Sequence, residues 1–128
     1  MSAPAHAQHT VIVIVDHGSR RAAANAVVAD VARLVQVRAG ERATVRFAHM
    51  EISEPALGAV IDECVSAGAR RVIVQPLFLA PGKHAARDIP DLVADARRRH
   101  AGVQIELGRV IGADPLLAEI LWARCGLE

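Results

Sequence analysis

Short β-branched runs alternate with longer stretches of helical spacing along the chain. The runs are residues 10–15 (TVIVIV), 43–48 (ATVRFA), 71–75 (RVIVQ) and 103–107 (VQIEL), each bounded by Gly, Pro or polar residues, and each predicts a strand. After each run, apolar residues recur every three or four positions: Val27, Val31, Leu34 and Val35; Leu57, Val60, Ile61, Cys64 and Val65; Ile89, Leu92, Val93 and Ala96; Leu116, Leu117, Ile120 and Leu121. These apolar stripes predict four helices. Gly40 and Gly68 fall where the first two should stop, in a position that favours a residue tolerant of positive φ. Four βα units in series predict an α/β fold, a four-stranded and mainly parallel sheet with helices on both faces, because strands this uniformly apolar are buried on both sides. Residues 1–9 read as a flexible N-terminus and 10–128 as one domain, without internal repeat or linker.

Composition narrows the function classes. The chain has 128 residues, 52% of them apolar, with no unbroken apolar run long enough to cross a bilayer. Fifteen Lys and Arg nearly balance 14 Asp and Glu, and aromatic residues make up 2%, so neither charge nor stacking favours nucleic acid as a partner. Cys64 and Cys125 lie far apart without a CxxC spacing, which suits a reducing compartment. The opening MSAPAHAQH lacks the basic flank and apolar stretch of an export signal, and the expected location is the cytoplasm.

In an open parallel sheet, ligands bind outside the carboxyl ends of the strands, so the strand exits are the places to look for chemistry. The first exit carries Asp16, His17, Gly18 and Ser19; the second carries His49, Met50 and Glu51; the third opens the long segment PLFLAPGKHAARDIP, residues 76–90; the fourth has only Gly108 and Arg109. A flavodoxin-like order, 2-1-3-4, would make the first three exits neighbours about 4.8 Å apart per strand. His17, Glu51 and His84 would then meet, two imidazoles and a carboxylate suited to Fe²⁺, Co²⁺, Ni²⁺ or Zn²⁺ with positions left for exchange. His49 points to the opposite side from Met50 by strand alternation, which gives it a supporting role behind the ligands. Asp16 is expected to fix the tautomer of His17, and Asp88 to cap a helix beginning near Ile89. His6, His9 and His100 are expected to be solvated.

Other chemistries fit less well. The GKH at 82–84 lacks the first glycine and the Ser or Thr of a phosphate-binding loop, and GSRRAA lacks the dinucleotide fingerprint. A phosphoryl-accepting receiver would carry an acidic residue at the third exit, where Pro76 and Leu77 stand. A histidine phosphatase would have an arginine where Asp16 is.

The segments VDHGSRR, AHMEISEP and GARRVIVQPLFLAPGKHAARDIP resemble those of the short-form sirohydrochlorin chelatases of the class II chelatase superfamily, and most of all the sirohydrochlorin ferrochelatases of cyanobacteria and plants. The resemblance runs from about Val11 through the last helix, and residues 76–90 are its most specific part. It implies a chelatase lobe that inserts a divalent metal into sirohydrochlorin, with Fe²⁺ giving sirohaem and Co²⁺ or Ni²⁺ serving cobalamin or related tetrapyrroles. The family's metal-site histidines fall on His17 and His84 and its glutamate on Glu51. The chain ends at Glu128 without the cysteine-bearing extension of the plant enzymes or a histidine-rich tail, so no iron–sulfur cluster is expected.

Metal insertion strips two pyrrole N–H protons while the ion exchanges water for ring nitrogens, and neutral imidazole serves as both ligand and base near pH 7. His17, His84 and Glu51 are therefore the expected catalytic and metal-binding residues. Ser19, Arg20, Arg21, Lys83 and Arg87 are expected to meet the carboxylate rim of the substrate, and Met50, Leu77, Phe78 and Leu79 to line an apolar floor. A metal carrier, the competing class, has no use for such a floor beside a basic rim. One wall of strand exits does not cover both faces of a tetrapyrrole, and a homodimer with its exits face to face is expected.

Overall fold

The computed structural model describes residues 9–127. The expected flexible N-terminus and His6 lie outside the described residues apart from His9. Four βα units follow: β1 (Thr10–Asp16), α1 (Ala22–Ala39), β2 (Thr44–His49), α2 (Leu57–Ser66), β3 (Arg71–Pro76), α3 (Lys83–Arg99), β4 (Gln104–Leu107) and α4 (Pro115–Cys125). The four strands form one sheet in the order β2-β1-β3-β4, and every pairing is parallel. The register sets Asp16 opposite His49 and Val15 opposite Pro76, so the first three strands end side by side.

Alternation along β1 divides the core in two. Val11, Val13 and Val15 pack with α2 and α3 on one face, joined by Val72, Val74 and Ile105. Ile12 and Ile14 point the other way, with Val45 and Phe47, onto Val28 and Ala32 of α1. Val13, Val15, Val72 and Val74 are fully buried, each worth about 1.5–3 kcal/mol of transfer free energy. The long helix α1 ends at Gly40, whose φ of 57° is cheap only without a Cβ.

Three helical expectations need correction. On α1 the buried residues are Val28 and Ala32, while Val27 and Leu34 are exposed; an alanine-rich helix leaves its phase open, and the sheet takes the side with the best i,i+4 pair. The third helix begins at Lys83 rather than near Ile89, and Asp88 lies inside it instead of capping it. Pro90 sits within that helix; burial of Ala85, Ile89, Val93 and Ala96 on one face compensates the hydrogen bond it cannot make. The stripe Leu116, Leu117, Ile120 and Leu121 does form a helix, but α4 buries none of its residues. No helix among the described residues is long and apolar enough to cross a membrane.

Candidate functional site

The exits of β1, β2 and β3 bring three side chains to one place. The backbone ladder continues past the strands, with Met50 N–H donating to Asp16 O at 2.8 Å and Glu51 N–H to His17 O at 3.1 Å. That extension lays Glu51 beside His17, and Nε2 of His17 stands 2.8 Å from Oε1 of Glu51. From the first turn of α3, His84 presents Nε2 3.6 Å from the other carboxylate oxygen of Glu51. The same nitrogen lies 2.8 Å from Oδ2 of Asp88, four residues further along the helix. His17, Glu51, His84 and Asp88 thus form a chain in which Glu51 bridges the two imidazoles. Roughly half of each imidazole is open to solvent, at 47% for His17 and 53% for His84.

Among the described residues, no three His, Cys, Asp or Glu side chains have donor atoms gathered around one point fit for an ion. The imidazoles are turned onto the carboxylate instead. The two imidazoles and the Glu51 carboxylate are about half exposed, so a change of rotamer that turned them toward an ion would meet little packing.

The remaining expected residues divide. Asp16 does not hold His17: its Oδ1 accepts from Nδ1 of His49 at 2.6 Å, because register places those two residues side by side on the α1 face. His49 is 1% exposed and lies behind the site, as alternation requires. Met50 is chiefly a core residue. Leu77 and Phe78 fall on opposite sides of the sheet and Leu79 is exposed, so the run makes no single floor; alternation persists past the end of β3. Phe78 does line an apolar cavity of about 170 Å³ with Pro81, Ala85, Ile89 and Leu107. Ser19 is engaged locally, its Oγ accepting from Arg21 N–H at 3.0 Å. Arg20, Arg21, Lys83 and Arg87 are exposed around the site, and only Arg87 has an ionic neighbour, Asp88 at 3.6 Å. An acidic groove leads from Glu51 along α3 past Asp88, Asp91 and Asp95, a field that draws cations.

The histidines expected to be solvated are partnered. His9 donates from Nδ1 to Gly68 O at 3.1 Å, and His100 Nε2 lies 2.6 Å from Asp62, tying α3 to α2. Sequence reasoning also missed the pairing of Asp88 with His84, although an i,i+4 His–Asp spacing on one helix was visible in HAARD. It missed Asn25, which bonds Ser19 and Ser53 across 28 residues to the latter, a contact without local signature.

Comparison with known proteins identifies the relatives of the chain. The CbiX family model matches residues 11–126. The chain is 38% identical over 110 residues to the chloroplastic sirohydrochlorin ferrochelatase of Arabidopsis thaliana, covering 86% of this chain and 48% of that one. It is 30% identical to the sirohydrochlorin cobaltochelatase of Methanopyrus kandleri, over 86% of this chain and 90% of that one. The solved structure of the sirohydrochlorin chelatase SirB from Bacillus subtilis subspecies spizizenii in complex with cobalt superposes with a TM-score of 0.82 at 28% identity, over 91% of this chain and 50% of that chain. The chain therefore spans about half the length of some relatives and nearly all of others. With a family model covering residues 11–126, nearly every described residue, and a relative 38% identical over 86% of the chain, the chain belongs to the CbiX family.

Proposed function

We propose that this chain, as one lobe over residues 10–128, inserts a divalent metal into sirohydrochlorin, with Fe²⁺ the physiological ion and Co²⁺ or Ni²⁺ accepted by the same ligands. One observation carries the proposal: His17 and His84, which follow two separate strand exits, approach the Glu51 carboxylate of a third at 2.8 and 3.6 Å. His17 and His84 hold the ion through Nε2, and Glu51 is the third ligand or the group that orients them. As the ring nitrogens replace water on the ion, two N–H protons leave; an imidazole released from the metal takes one, and solvent or Glu51 the other. Arg20, Lys83 and Arg87, all exposed, meet the substrate carboxylates. Iron is preferred to cobalt because the Arabidopsis relative is a ferrochelatase, and ligand chemistry alone does not separate the ions.

The active species is a homodimer. The groove beside Glu51, about 340 Å³ and lined by Met50, Asp88, Asp91 and Asp95, is at the lower end of the roughly 300–1,000 Å³ that encloses a small ligand, so a ring as large as a tetrapyrrole needs a second wall. Leu116, Ile120, Leu121 and Trp122 of α4 are more than half exposed, and a helix so apolar on its surface calls for a partner. The two free cysteines support a reducing, cytoplasmic location. The test is turnover: sirohydrochlorin incubated anaerobically with Fe²⁺ and enzyme should change its absorbance to that of the metallated ring faster than without enzyme, and no acceleration with Fe²⁺, Co²⁺ or Ni²⁺ rejects the proposal.

A further inference from the structure

Glu51 occupies a loop that has no regular structure of its own, yet its carboxylate must stay within reach of two imidazoles. Besides the backbone bonds of Met50 and Glu51, two side-chain ties hold that loop. Below it, His49 and Asp16 end their strands opposite each other, and the 2.6 Å bond between them is buried, His49 being 1% exposed. Above it, Asn25 in the first turns of α1 accepts from Ser19 N–H at 2.9 Å, donates to Ser19 O at 2.7 Å and donates to Ser53 Oγ at 2.9 Å. Ser53 in turn donates to Ser19 O. Between the ties, Ile52 is held at a φ of 75°, a conformation that a β-branched residue avoids and keeps only where its surroundings over-determine it. The loop is therefore held at two separate points.

We infer that His49 and Asn25 are positioning residues for the proposed metallation: together they pin the 51–53 loop to the 16–19 loop, and so fix the separation of Glu51 and His17. The inference rests on those two residues being metal ligands. The two ties share no partner: His49 bonds Asp16, and Asn25 bonds Ser19 and Ser53. Losing one tie leaves the other, and losing both leaves the backbone bonds of Met50 and Glu51 and the Ser53 hydroxyl to hold Glu51 less tightly.

The test uses Co²⁺ alone as probe, with affinity read from its visible ligand-field bands and folding read from thermal unfolding. His49→Leu and Asn25→Ala should each weaken Co²⁺ binding about tenfold, and the double variant by more than either, the range expected on removing groups that support metal ligands. His49→Asn, which keeps a donor near the position of Nδ1, should restore binding to within about threefold of wild type. Val60→Ala, in the core away from both ties, should lower the unfolding temperature while leaving Co²⁺ affinity unchanged, which separates positioning from general destabilisation. Wild-type Co²⁺ affinity in both His49→Leu and Asn25→Ala overturns the inference, as does a wild-type protein that binds no Co²⁺. If the variants lose Co²⁺ as expected but the wild-type protein does not metallate sirohydrochlorin, the positioning stands and the substrate assignment falls.

Discussion

Gly18 is where the backbone of the site comes closest to itself. A Cβ there would stand 1.9 Å from the carbonyl oxygen of Glu51 and 3.2 Å from Cβ of His49, at a φ of +97°. The atom in the way is backbone, so no side-chain rotation relieves it. Gly18→Ala should cost about 2 kcal/mol by overpacking and push Glu51 off His17, which thermal unfolding and Co²⁺ titration will both register. An unchanged unfolding temperature with unchanged Co²⁺ affinity would show that the loop yields freely. At this scale the proposed trio could be named from the sequence, because His17 and Glu51 stand one and two residues past β1 and β2, and His84 lies in the long segment that leaves β3. What supports them could not: the partner of Asp16 depends on strand register, and the partners of Asn25 depend on two loops closing over each other.

Elements were read well where periodicity was unambiguous. All four strands fall within a residue or two of their expected limits, since a two-faced buried strand leaves an unbroken apolar run. Helix phase was harder, as α1 shows, and so was the start of α3, where Pro90 reads as a helix breaker until tertiary burial outweighs it. Helices α2 and α3 are joined at their ends by Asp62, which takes His100 at 2.6 Å and also Arg99, itself 2.9 Å from Asp95. The hydrogen bond from His100, followed by Arg99, holds the Asp62 carboxyl below the usual carboxylate range. A folded pKa below the unfolded one means stabilisation that is complete above about pH 4 and is lost as pH falls through the folded value. Because the pair is solvent-screened, its worth is about 1 kcal/mol or less. Stability followed by denaturant titration should therefore fall less steeply below pH 4 in Asp62→Asn than in wild type, and parallel curves would remove this link from the account.

At the scale of the whole molecule, the parallel sheet followed from the alternation of elements; the 2-1-3-4 order that groups chemistry at three exits rests on analogy with flavodoxin-like sheets and is the order found, and the setting of α4 was not legible. That helix is apolar on nearly every side and buries nothing within its own chain, so its stripe carried no information about the direction it faces. A stable dimer needs about 800 Å² of surface from each partner, and α4 offers Leu116, Ile120, Leu121 and Trp122 toward it. Light scattering at micromolar concentration should report twice the chain mass, and Leu121→Glu with Trp122→Glu should reduce it to one chain; a wild-type monomer that is fully active would rule out a shared cleft. The central claim, that His17 and His84 carry metal insertion, is tested most directly by anaerobic turnover of sirohydrochlorin with Fe²⁺, followed by absorbance, in wild type, His17→Ala and His84→Ala. Each variant should fold as wild type does and lose about 100-fold or more in rate, as removal of a ligand that also handles protons demands. Turnover at the wild-type rate in either variant would contradict the account.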